Sequence, residues 1–236
     1  MHPSQLPLNL AIRDESTFDL FYPGDNQALL AALQDFINND EEPFFYLHGG
    51  PQSGRSHLLQ AACHLKRQST SAIAYIALKT SHPITPEILQ GMQQYALVCL
   101  DDIDHVLQQP QWEEALFHFY NHMRENKQQL LVSANTPAAQ LTCHLPDLKS
   151  RLTWGANFSI SPLSDKALIN TLQLRASYRG LTLSTEAGQF LLNHFPRNIS
   201  TLLDILNQLD HASLITQRKL TIPFIKETLQ SHSTSI

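Results

Sequence analysis

Five short apolar runs, separated by stretches with helical spacing, restrict this chain more than any other feature. They are "FFYLH" (44–48), "AIAYIAL" (72–78), "YALVCLDDI" (95–103), "QLLVSANTP" (129–137) and "NFSIS" (157–161). Each has the length of a buried strand. A helix is expected over 25–37, with Asp25 as its N-cap, and others over 55–67, 86–94 and 111–126. In the last of these Trp112, Leu116, Phe119 and Met123 fall near one face. Strands that alternate with helices build a parallel sheet covered on both sides. The expected fold class is therefore α/β, with a five-stranded parallel sheet.

The alternation stops at Pro162. From there the sequence reads as helices alone: 163–180, capped by Ser164 or Asp165 and closed by Gly180, then 184–195, 198–217 and 221–230. The expected domains are a leader over 1–15, an α/β domain over 16–161 and a small all-helical lid over 162–236. At 236 residues the chain suits one main domain with an appendage.

The link between the first strand and the helix after it is "GGPQSGRS" (49–56). It approaches the phosphate-loop pattern G-x-x-x-x-G-K-[ST]: Gly49, Gly54 and Ser56 match, and Arg55 stands where lysine is usual. Glycines let the backbone turn its amides inward on phosphate oxygens, and the following helix adds positive charge at its N-terminus. The candidate nucleotide-binding set here is Gly49, Gly50, Pro51, Gln52, Ser53, Gly54, Arg55, Ser56 and His57. Ser56 would offer a hydroxyl to Mg²⁺. The Arg55 fork keeps the charge but is bulkier than an ammonium, so it would hold a β-phosphate and crowd a γ-phosphate. An ordinary Gly-Pro turn is the alternative.

Asp101 and Asp102 end the third apolar run, at the strand ends where open α/β sheets bind ligands. Asp101 would hold Mg²⁺ through water, and Asp102 stands where a water-polarising carboxylate would. The alternative is a pair of solvated loop acids. Asn135 ends the next run, within reach of a γ-phosphate or attacking water, although Asn before Thr-Pro is also a turn residue. Arg197, at the start of a lid helix, would close over phosphates or lie free on the surface. His118 and His122 are four apart but lack a third ligand and the H-E-x-x-H pattern.

Apolar residues make up 42% of the chain and charged ones 16%, enough for a buried core. The net charge of −5 counts against a broad basic nucleic-acid face. Cys63, Cys99 and Cys143 are widely spaced, as expected of reduced thiols in a cytoplasmic protein. No signal peptide or membrane-length apolar run is expected.

Three further stretches carry a resemblance. "LPDLKSRLTWG" (145–155) resembles the Ser-Arg-[Leu/Phe]-x-Trp-Gly box of the bacterial replication initiator DnaA and its AAA+ relatives. "STFDLFYPGDNQALLAAL" (16–33) resembles the opening box T-F-x-x-F-x-x-G-x-N of that family, and 163–195 resembles the start of its lid. All boxes occur in order from about 16 to 230. The resemblance extends to the family's DnaA-homologous regulatory branch. The chain ends near 236, with no basic helix-turn-helix region after the lid. The leader's "QLPLNL" (5–10) is similar to a sliding-clamp-binding motif through Gln5, Leu6, Leu8 and Leu10. An extended peptide of this kind sets alternating leucines in an apolar groove.

The resemblance implies a working form bound to ADP (or ATP) and Mg²⁺. It would be tethered to the β sliding clamp of DNA polymerase III and meet DNA only through that clamp. It further implies that Arg151 is an arginine finger, acting in trans on ATP held by DnaA and so shutting off re-initiation of replication. Pairing with Asp147 on the same helix is the other reading of Arg151. Trp154 is expected to anchor this box. A nucleotide-dependent homo-oligomer and a place at the nucleoid or replisome also follow from the resemblance. The rival functions are an autonomous AAA+ ATPase or helicase-loader-like motor, and a nucleotide-gated DNA-binding module.

Overall fold

The computed structural model describes residues 12–39, 42–69, 72–80, 84–216 and 219–233, with the side chains from 230 onward left aside. The leader motif Gln5, Leu6, Leu8 and Leu10 lies outside the described residues. Contacts divide the chain into two units. The first holds the described residues through Phe18 together with Asn26–Ser161, and the second holds Asp19–Asp25 with the described residues from Pro162 onward.

The first unit is built on strands β1 (Phe44–His48), β2 (Ile73–Ala77), β3 (Leu97–Asp101), β4 (Gln129–Ala134) and β5 (Ala156–Ser159). They form one sheet in the order β2-β3-β4-β1-β5, and every pairing is parallel. Side chains alternate between the two faces. On one face Phe44, Tyr46, Val98, Leu100, Leu130 and Val132 join a core with α3 (Pro110–Glu125) and α4 (Pro146–Thr153). On the other face Phe45 meets Phe36 of α1 (Gln27–Asn38), and Cys99 meets Cys63 of α2 (Arg55–Arg67). The chain crosses from β1 to the far side of β3 and later returns past β1 to β5. The carboxyl ends of β3, β4 and β1 therefore lie side by side, the usual place for a ligand in such sheets.

Two local expectations change. Asn26, not Asp25, occupies the N-cap position of α1, and its amide instead bonds Ser161: Ser161 N donates to its Oδ1 at 2.7 Å. Residues 86–94 form no α-helix but two 3-10 turns, Pro86–Leu89 and Met92–Gln94. Gln90 leaves the first turn in an extended conformation, and Gly91, at φ +80°, makes the left-handed step that starts the second.

The second unit packs α5 (Asp165–Tyr178), α6 (Thr185–His194), α7 (Ile199–Thr216) and α8 (Ile222–Ser233) around Leu172, Leu191, Leu202, Leu206 and Phe224. Ser164 and Ser184 cap α5 and α6, each accepting from the amide three residues on. The segment Asp19–Asp25 belongs with these helices because Asn170 donates to the Tyr22 hydroxyl at 2.8 Å and Gly24 lies against Leu163 and Ala167. No helix among the described residues is long and apolar enough to cross a membrane.

Candidate nucleotide site and the Arg151 helix

β1 runs directly into the glycine loop. Gly49 sits so close to the returning chain that a Cβ there would lie 2.7 Å from Ser53 Oγ and 3.1 Å from Ile160 Cβ. Gly54 then turns left-handed at φ +100° and starts α2. Pro51, Gln52 and Ser56 are exposed on this loop, Gly50 has open space around its Cα, and Gln52 also has positive φ. His57 is fixed by a 2.8 Å bond between Nε2 and the Thr17 carbonyl.

Arg55 folds back under the loop and is nine-tenths buried. One guanidinium nitrogen, Nη1, donates to the carbonyls of Gly49 and Gly50 and, at 2.9 Å, to Asn135 Oδ1. The other, Nη2, meets Asp102 Oδ1 at 2.5 Å. A buried ion pair offsets its desolvation only when further hydrogen bonds surround it, and here three acceptors besides Asp102 do so. Burial, followed by the charge of Arg55, also lowers the pKa of neighbouring His48.

The acids at the end of β3 divide into two settings. Asp101 is 2% exposed; it accepts from the Tyr75 hydroxyl at 2.7 Å and from Ser133 Oγ. Burial first, then the Asp101 charge, raises the pKa of Tyr75, whose hydroxyl also meets Gln60 and Ser56. Ser56 and Asp101 are thus brought to one phenol. Asp102 takes a left-handed conformation at φ +59°, its amide donates to Ser133 Oγ at 3.0 Å, and its carboxylate faces Arg55.

Asn135 donates to Asp104 Oδ2 at 2.5 Å while accepting from Arg55. Asp104 and Ser133 were not among the residues singled out from the sequence. Asp104 is the third acid of "DDID", and Ser133 lies two residues before Asn135 on a buried strand. Spacing alone gave no reason to choose either. Three polar atoms in this network are buried without a hydrogen-bond partner: Ser53 Oγ, Arg55 Nε and Asp104 Oδ1. Such atoms each cost about 1–3 kcal/mol unless something satisfies them.

Arg197 lies in the second unit, where Nη1 pairs with Asp165 at 3.2 Å; both side chains are about half exposed. Arg151 occupies the second turn of α4, the helix that buries Leu148 and Leu152. It is half-buried, and among the described residues it makes no ion pair, with Asp147 or any other acid. Its charge is felt at Tyr120 of α3. Trp154, expected to anchor the box, is instead 61% exposed, with Arg124 Cζ 5.1 Å above its ring. The buried leucines of α4 anchor the helix in its place.

Comparison with known proteins identifies two regions. The sequence model of the bacterial DnaA ATPase domain matches residues 12–159, and that of the Hda lid domain matches residues 165–229. Domain III of the Thermotoga maritima replication initiation protein DnaA superposes with a TM-score of 0.76 at 17% identity, over 94% of this chain and 98% of that one. AMPPCP-bound DnaA from Aquifex aeolicus gives 0.69 at 19% identity, over 83% and 66% of the two chains. The Thermotoga maritima RuvB Holliday junction branch migration motor gives 0.62 at 15% identity, over 86% and 65%. At these identities the likeness is one of fold.

Proposed function

The chain belongs to the family of the bacterial DnaA ATPase domain, and from that premise we propose that it is a regulatory partner of the initiator which stimulates hydrolysis of ATP held by DnaA. The observation that carries this reading is the contrast between two of its arginines. Arg55 is consumed inside its own loop, whereas Arg151 is held on a packed helix without an ion partner among the described residues.

In this reading the loop from Gly49 to His57 holds an adenine nucleotide, as the similar initiator structures bound to AMPPCP suggest for the fold. Ser53 Oγ and Arg55 Nε supply unmet polar atoms beside it. The Asp102 carboxylate is neutralised by Arg55 at 2.5 Å, which weakens it as a group for polarising water. Own turnover is accordingly slow, and ADP is the resident nucleotide that sets the shape of the chain. Mg²⁺ suits the oxygen donors present: Ser56 and Asp101, both at the Tyr75 hydroxyl, would hold it, and it would neutralise phosphate charge.

Arg151 would reach the partner's triphosphate, where a guanidinium stabilises charge building on the transferred phosphoryl group. The leader Gln5–Leu10 would tether the chain to the sliding clamp and raise its concentration near clamp-associated partners.

The test is a hydrolysis assay with ATP-loaded DnaA, clamp-loaded DNA and the purified chain. Stimulation well above initiator alone is expected, lost or sharply reduced when residues 5–10 are deleted, with little turnover by the chain alone. Substantial turnover by the chain alone, indifferent to clamp and initiator, would favour the autonomous ATPase instead.

A further inference from the structure

Glu113 is a buried acid that the loop and Arg151 readings leave unused. It lies in the first turn of α3 and is 1% exposed. Its carboxylate gathers backbone amides from two separate segments. Oε1 accepts from Gln108 N at 2.8 Å and His144 N at 3.1 Å, while Oε2 accepts from His144 N at 2.9 Å and Leu145 N at 2.8 Å. The His144 ring lies 3.6 Å from Oε1 on a largely exposed side chain. Burial pushes the Glu113 carboxyl up, but the amides of His144, Gln108 and Leu145, with the Cys143 thiol, outweigh it and hold the group below the usual carboxylate range. It is therefore charged, and its amide bonds are of the strong, charge-assisted kind.

The two segments it joins are the ones that matter for the proposed chemistry. Gln108, left-handed at φ +72°, lies on the chain leaving β3 just after Asp101, Asp102 and Asp104. His144 and Leu145 lead directly into α4 at Pro146. That helix has eight residues and no side-chain N-cap of its own. So short a helix is not stable alone, and its orphan amides need an acceptor. The Glu113 charge supplies one for the N-cap amide, Leu145 N, and for His144 N just before it, at the end of the helix where negative charge is favoured.

We propose that Glu113 is the positioning residue for Arg151: one carboxylate fixes the start of the Arg151 helix to the segment that follows the site's own acids. This rests on the reading of Arg151 as a donated arginine. Gln108 and α4 then move as one piece, so a change at Asp102 or Asp104 is passed to the direction in which Arg151 points.

The experiment uses the full chain in the clamp-loaded hydrolysis assay, with Glu113→Gln, Glu113→Asp, Arg151→Ala and the double variant Glu113→Gln/Arg151→Ala. Glutamine keeps the shape but turns one acceptor into a donor, breaking one arm. The expected result for Glu113→Gln is at least a tenfold lower maximal rate. Half-saturating concentration and ADP affinity stay within twofold. Glu113→Asp recovers part of the rate, and the double variant is no slower than Arg151→Ala. A full rate in Glu113→Gln, a further loss in the double variant, or a parallel loss of ADP affinity would overturn the positioning role. If Arg151→Ala keeps the full rate, the donated-arginine reading falls and this inference with it; that arm separates the two failures. Should Glu113→Gln not fold, hydrogen exchange on the unaltered chain decides. The amides of Gln108, His144 and Leu145 should be protected as one set, and rapid exchange at His144 and Leu145 would overturn the clamp.

Discussion

Arg55 shows how much a single departure from a motif changes a site. A lysine is a point charge on a flexible stem, whereas a guanidinium offers five donors in a plane and can serve several acceptors at once. In this chain those acceptors are Gly49 O, Gly50 O, Asn135 and Asp102, all belonging to the loop or the adjoining strand ends. Arg55→Ala should lower the unfolding free energy in urea by about 2–3 kcal/mol. That is less than the 3–5 kcal/mol for a fully buried pair, because the Asp102 side chain keeps 16% of its exposure. No change in the midpoint would mean that the pair contributes nothing.

His48, beside it, predicts a pH effect. Burial and then Arg55 lower its pKa, so the unfolded chain binds its proton more readily than the folded one. The stability it contributes is fully present above the unfolded value of about 6.5 and is lost as pH falls through the folded value. Melting temperature should therefore fall with acidification below about pH 6.5, and fall less in His48→Gln. Identical slopes in the two proteins would contradict this.

At the scale of the element, the loop between β1 and α2 depends on the absence of a side chain at Gly49. Gly49→Ala would press a methyl into Ser53 Oγ and Ile160, and should cost about 1–3 kcal/mol, with loss of nucleotide binding in a fluorescent-ADP titration. Retained affinity would show that the loop tolerates the displacement.

The strands and the loop helix were the most legible elements. Phe44–His48 and Arg55–Arg67 have the expected bounds because apolar runs and a glycine turn mark both of their ends. Residues 86–94 have the apolar spacing of a helix, but Pro86 and Gly91 break it into two short turns. The loop and its acids were found because glycine and clustered aspartate are conspicuous. Asp104, Ser133, Tyr75 and Glu113 act through tertiary register: β3 and β4 must lie side by side before Ser133 can reach Asp101. Nothing local in the sequence encodes that meeting. Trp154 misled for a similar reason, since an aromatic residue beside a motif reads as an anchor until its exposure is seen.

Across the whole molecule, the parallel sheet and the all-helical second unit follow from the change of hydrophobic period at Pro162. Less legible was the segment Asp19–Asp25, which precedes α1 in sequence yet packs with the lid helices through Tyr22 and Gly24. Family membership joins these parts into one account, in which the chain keeps one arginine for itself and offers another. The most direct measurement is single-turnover hydrolysis of initiator-bound ATP on clamp-loaded DNA, comparing the unaltered chain with Arg151→Ala at saturating concentration. The account predicts a loss of at least about 10³-fold, the lower end of what arginine fingers contribute, with folding and ADP binding unchanged. A rate equal to that of the unaltered chain would contradict it.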